Sequence, residues 1–178
     1  MHGFTNATPV DRGVDIIDVY IAAWEIECCA PPPEVGREAT WVLAYTADDT
    51  EPEVIRRPVR WDRISRKLSA GGVSAYWRDA PDDLSDHPAG LRGRLWGTVH
   101  GADVPDGFDS TTGSVLGVYL LDELYHENEI GAWCPIQGTA VRTSVSKSPG
   151  WFGGSGTFVS GMDCRKQTGV VMELAVRG

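Results

Sequence analysis

Residues 15–24 read DIIDVYIAAW and residues 39–45 read ATWVLAY. In the first stretch Ile17, Val19, Ile21 and Ala23 alternate with Ile16, Asp18 and Tyr20, the two-residue period of a strand with one apolar and one mixed face. In the second, Trp41 and Leu43 share one face and Val42 and Ala44 the other. Pro31, Pro32 and Pro33 lie between them and lack amide donors, so the first strand is expected to end near Cys29, with Val35-Gly36 turning the chain into the second. The same reading gives strand candidates at 91–100 (LRGRLWGTVH), 114–121 (SVLGVYLL), 139–144, 157–160 and 170–176. With 21 Gly and 11 Pro in 178 residues, turn formers leave little room for helices of average length. The expectation is a mainly β protein, a small, partly open barrel of roughly seven short strands with long loop insertions.

One helix is predicted, over residues 58–68. Pro58 suits a first helical turn, Trp61, Ile64 and Leu68 recur at i, i+3, i+7, and Arg60, Arg63 and Lys67 form the adjacent stripe. Gly71-Gly72 would close it as a C-terminal cap. Residues 122–129 (DELYHENE) could add one helical turn, while 46–53 and 79–90 read as polar loops. The organisation expected is a flexible lead over 1–13 and a single β-rich domain over 14–178. A chain of this length buries enough surface to fold without a disulfide or a metal.

The formal net charge is −9, which disfavours sequence-independent binding to nucleic acid or anionic lipid. Between Arg56 and Lys67, however, six basic residues and one acid give +5, leaving −14 for the remainder. This basic island suggests that Arg60, Arg63 and Lys67 orient an acidic protein partner; a weak nucleic-acid contact through the same segment is the alternative. The bland reading is that these cations pair with acidic loops of the same molecule. No basic region followed by an apolar stretch opens the chain, so neither export nor membrane insertion is expected. Four Cys, two of them adjacent, make no disulfide framework, and a reducing, cytoplasmic setting follows as the simpler expectation. The excess of Arg over Lys, 13 to 3, reads as codon bias of a GC-rich bacterial genome.

The run Trp24, Cys28-Cys29, Pro33, Val35-Gly36 and Trp41, with Gly97-Thr98-Val99 and a closing stretch at 170–176, resembles an uncharacterised bacterial family defined only as a domain of unknown function. Ala30 stands where a Gly is usual, Glu34 where an aromatic is, and Arg37 where an Asp is. The resemblance implies an SH3-like small barrel from about residue 14 onward. It carries no catalytic residues, and such barrels host binding more often than catalysis.

Cys28-Cys29 is the most distinctive local feature and gives the candidate reactive thiols. Adjacent cysteines close a disulfide only in a strained, reducible ring, and the redox spacing C-x-x-C is absent. The bland reading is one thiol buried as a small hydrophobe and one facing outward. A zinc site would have to gather the pair with Cys134, Cys164 or His126 from distant segments, and no pair of closely spaced ligand pairs exists, so no metal centre and no cofactor is expected. Ser144 and Lys147 satisfy S-x-x-K without its companion motifs, and the glycines of 153–156 lack the lysine and helix of a phosphate loop. The leading expectation is a non-catalytic binding or regulatory module; the alternative is an enzyme using the thiol of Cys28 or Cys29, or loop carboxylates.

Overall fold

A computed structural model describes residues 13–100, 104–153, 156–161 and 163–178. The lead expected over 1–13 lies outside the described residues except for Gly13, as do 154 and 155 of the glycine run. The elements in chain order are β1 (Val14–Ala22), α1 (Ala23–Cys28), β2 (Glu38–Ala47), β3 (Arg60–Asp62), β4 (Lys67–Ala70), β5 (Val73–Tyr76), β6 (Gly93–Thr98), β7 (Ser110–Glu127), β8 (Trp133–Pro135), β9 (Val141–Val145), β10 (Thr157–Ser160) and β11 (Asp163–Arg177). Strands hold 53% of the described residues and helix 4%, so the fold is mainly β, as the turn spacing predicts.

Five strands close a barrel in the order β2-β6-β1-β11-β7, with β7 returning to β2 through Glu38↔Ser114 to Val42↔Ser110. Closure leaves these five strands no open edge over the paired stretch. The alternation read from the sequence sets the facing: Ile17, Val19 and Ile21 of β1 point inward, where Leu95, Met172 and Leu174 join them at 0% exposure. Tyr20 of the same strand faces out yet is covered, packing with Leu121 and Val171 in a second, smaller cluster. Most neighbours are antiparallel, but β1 and β6 run parallel (Val19↔Leu95, Tyr20↔Trp96). This brings their C-terminal ends to one rim. Outside the barrel, β3-β4-β5 extends from β2, while β8, β9 and β10 flank the long distal halves of β7 and β11.

The helix expected over 58–68 is a β-hairpin, β3 and β4. Trp61 and Leu68 are buried cross-strand partners, and Ile64, the third member of the supposed apolar stripe, sits 98% exposed in the turn. Asp62 decides the local outcome: its Oδ1 accepts the backbone N–H of Ile64 at 3.0 Å and of Ser65 at 3.4 Å, a side-chain turn that competes with helical bonding. Gly71-Gly72 consequently turns β4 into β5 and caps no helix. Residues 122–127 likewise continue β7 as strand, held by β11 and β8, so the expected helical turn does not form. The first strand stops at Ala22, short of Cys29, and the chain then makes the one short helix among the described residues, α1, whose Glu25 carbonyl accepts the N–H groups of Cys29 (3.0 Å) and Ala30 (2.8 Å) before the prolines.

Two phenols are enclosed by this wall. Tyr20 donates to the Thr168 carbonyl at 2.8 Å and Tyr45 to that of Arg92 at 2.6 Å, and burial pushes both up to about 12. Because the folded state raises these values above the unfolded one, their stabilisation is complete below about pH 10 and disappears as pH climbs towards 12. Phenolate absorbance from these two tyrosines is expected only together with loss of the β circular-dichroism signal. The double variant Tyr20→Phe, Tyr45→Phe should move that alkaline midpoint upward; ionisation of both near pH 10 with the fold intact would contradict the assignment.

Candidate functional site

The rim where β1 and β6 end together is the chemically richest place among the described residues. From one side comes α1, carrying Trp24, Glu25, Cys28 and, at its C-cap, Cys29. From the other, β6 runs out through Thr98 to Val99 and His100. Glu25 is only 2% exposed, and a buried carboxylate needs partners. Thr98 supplies one by donating its hydroxyl to Oε1 at 2.5 Å, and the Val99 amide donates to Oε2 at 3.3 Å. His100 Nδ1 lies 3.3 Å from the same Oε2.

That last contact fixes the imidazole. With Nδ1–H donating to the carboxylate, Nε2 is left as the lone-pair nitrogen. It faces Cys28 Sγ at 3.8 Å, and Cys28 Sγ lies 2.7 Å from Cys29 Sγ. Carboxylate, imidazole and two thiols therefore stand in line, from the buried Glu25 to exposed cysteines. The thiol of Cys29 is held above its ordinary range, chiefly by its hydrogen bond with Cys28 and then by desolvation and nearby negative charge. Trp24, 53% exposed, places its ring 6.1 Å from that of His100. A groove of about 310 Å³ adjoins the line, its walls including Trp24, Tyr45, Tyr76, Arg78 and Trp96, with Glu25 at its margin.

The bland expectation of one buried and one outward thiol is not what the rim shows: Cys28 and Cys29 are both exposed. Their polar companion is His100, not one of the three residues the sequence offered as co-ligands. Cys164 is buried elsewhere, Cys134 pairs across from His126 on β8 and β7, and His126 is engaged by Asp163 at 2.6 Å. Parallel pairing of β1 with β6 brings residues 28 and 100 together, and periodicity does not reveal which strands pair.

Arg60, Arg63 and Lys67 fall on the β3–β4 hairpin and its turn, not on a helical stripe. Lys67 pairs with Asp109 at 2.9 Å, Arg63 donates to the Leu84 carbonyl at 3.2 Å, and Arg60 is exposed on β3. Ser144 lies within β9, and Lys147 beyond its end pairs with Glu34 at 3.0 Å. No helix among the described residues is long and apolar enough to cross a membrane.

Fold and rim together define a small closed β-barrel with a thiol–imidazole centre at one end. The chain belongs to a family of unknown function (DUF6578), whose family model matches residues 15–176. No curated protein and no solved structure matches the chain.

Proposed function

We propose that the protein is a non-catalytic binding module of the cytoplasm, a small barrel of SH3-like kind, whose capturing groups are the thiols of Cys28 and Cys29. The observation that carries this reading is the line Glu25–His100–Cys28, with contacts of 3.3 Å and 3.8 Å, because it sets an imidazole backed by a buried carboxylate against an exposed thiol. A reducing compartment keeps the pair available as thiols. The pair also sits at the C-terminal end of α1, where backbone carbonyls carry partial negative charge. Such a place favours an incoming electrophile or cation over a free thiolate, whereas low-pKa catalytic thiols are typical of helix N-termini.

One competing reading uses the same atoms, with Cys28 as nucleophile, His100 as base and Glu25 as orienting group. Alkylation with iodoacetamide separates the two. As a capture site, Cys28 should show no fast alkylation in acid, and His100→Ala should change its rate several-fold while leaving Cys134 untouched. A fast rate that holds steady down to about pH 5 would mean a preformed thiolate and favour catalysis. If Cys28 reacts like Cys134 and ignores both His100→Ala and Glu25→Gln, the rim is not a thiol centre at all.

A further inference from the structure

We propose that Cys28, Cys29 and His100 together bind one thiophilic d10 cation, with Zn²⁺ as the type case, and that Glu25 is the positioning residue holding His100 in its ligating tautomer. The inference rests on the thiol-centred reading above and names the ligand of that site. Three observations carry it.

The first is the donor set. The two Sγ atoms and one imidazole nitrogen all lie within 4.8 Å of one another, and they form a set of this kind among the described residues. Thiolate and imidazole donors together suit zinc, whereas hard cations such as Mg²⁺ and Ca²⁺ require oxygen ligands.

The second is the fit. Tetrahedral zinc with Zn–S of about 2.3 Å and Zn–N of about 2.0 Å sets its sulfur and nitrogen ligands roughly 3.6 Å apart and two sulfurs roughly 3.8 Å apart. Cys28 Sγ and His100 Nε2 already stand at 3.8 Å. The sulfurs, at 2.7 Å, would open by about 1 Å. Cys29 can supply that movement, because it is exposed and lies just beyond the last residue of α1.

The third is the support behind the ligand. A ligating imidazole ordinarily donates its other N–H to a carboxylate or carbonyl, which fixes the tautomer and raises ligand basicity. Glu25 occupies that place, is itself held by Thr98 and the Val99 amide, and is buried as such a partner should be. Binding is a ligand exchange: two thiols lose their protons to solvent as two S–Zn bonds form, and the dication balances the two thiolates. Three protein ligands leave a fourth position for water or an exogenous donor, so the site would be of the open kind.

The test uses the full chain purified in reductant without metal, titrated with Zn²⁺ alone against a chromophoric chelator, and with Co²⁺ as an optical reporter. The expected result is one equivalent bound, with a sulfur-to-cobalt charge-transfer band and tetrahedral d–d bands. Cys28→Ser, Cys29→Ser and His100→Ala change exposed residues and should each weaken binding at least about tenfold with circular dichroism unchanged. Glu25→Gln should weaken it by roughly 10–100-fold, the effect typical of an outer-shell partner. Should that variant unfold, His100→Ala and the two serine variants decide the matter. Zinc binding that survives all three and falls with Cys134→Ser or His126→Ala would overturn the proposal, as would less than half an equivalent bound by the wild type. In the latter case iodoacetamide still reports on the thiol centre: His100-dependent reactivity of Cys28 without metal would leave the capture reading standing, and its loss would remove both.

Discussion

Gly169→Ala is expected to destabilise the barrel by about 3 kcal/mol or more, since it combines a strained backbone with overpacking, each costing about 1–3 kcal/mol. Gly169 adopts φ +155°, and a Cβ there would fall 2.1 Å from the Ile21 carbonyl oxygen and 3.0 Å from Ala22 Cα. Both neighbours are backbone of β1, so neither can rotate aside. The residue also marks the register shift of β11 against β7, between Gln167 and Gly169, where the long strand bends as it passes the end of β1. Gly36 is the matched control. It too has positive φ, +82°, but a Cβ there meets nothing within 4 Å, so Gly36→Ala should cost only about 1–2 kcal/mol, the backbone term alone. Urea unfolding of the two variants measures the difference. Equal midpoints would show that the wall yields at the bulge.

Leu95→Ala should cost about 2–5 kcal/mol, the range for emptying a buried leucine site. Leu95 is 0% exposed and lies between two barrel strands, opposite Val19 of β1 and Tyr45 of β2. The cavity would be bounded by strands already fixed by closure, which limits collapse around it. Leu116, 48% exposed on β7, is the comparison, and its replacement by alanine should stay within about 0.5 kcal/mol. A loss below about 1 kcal/mol at Leu95, with unchanged denaturant slope, would mean that the barrel interior repacks freely.

Alternation and punctuation made the barrel strands legible. Ile17, Val19 and Ile21 point inward as their spacing requires, and glycine and proline density limits helix to one short piece among the described residues. The helix itself was misplaced. Trp61, Ile64 and Leu68 satisfy a helical period, but the same spacing also lets Trp61 and Leu68 meet across a hairpin, and the Asp62 turn selects the hairpin. Conversely, Ala23 to Cys28 continues the strand pattern of β1 closely enough to hide a helix of six residues. The candidate site was half visible: Cys28-Cys29 stands out in any reading, while His100 is an unremarkable residue after a strand. Its importance depends on β6 lying parallel to β1, a long-range pairing carried by neither segment alone. Glu25 was hidden for the same reason, because its burial depends on Thr98 and His100 arriving from 73 and 75 residues away.

The central place of β11 bears on how the chain is made. β11 lies between β1 and β7, pairing Val14 with Arg177 and Val176 with Gly113, so the first barrel strand to leave a ribosome waits for the last. At about 5–20 residues per second, the roughly 150 residues separating Ala22 from Arg177 take about eight to thirty seconds to appear. Until β11 emerges, β1, and β7 once it has been made, each present an unpaired edge to the crowded surroundings of the nascent chain. Stalled or truncated translation products ending before residue 163 are therefore the form of this protein most in need of chaperone cover.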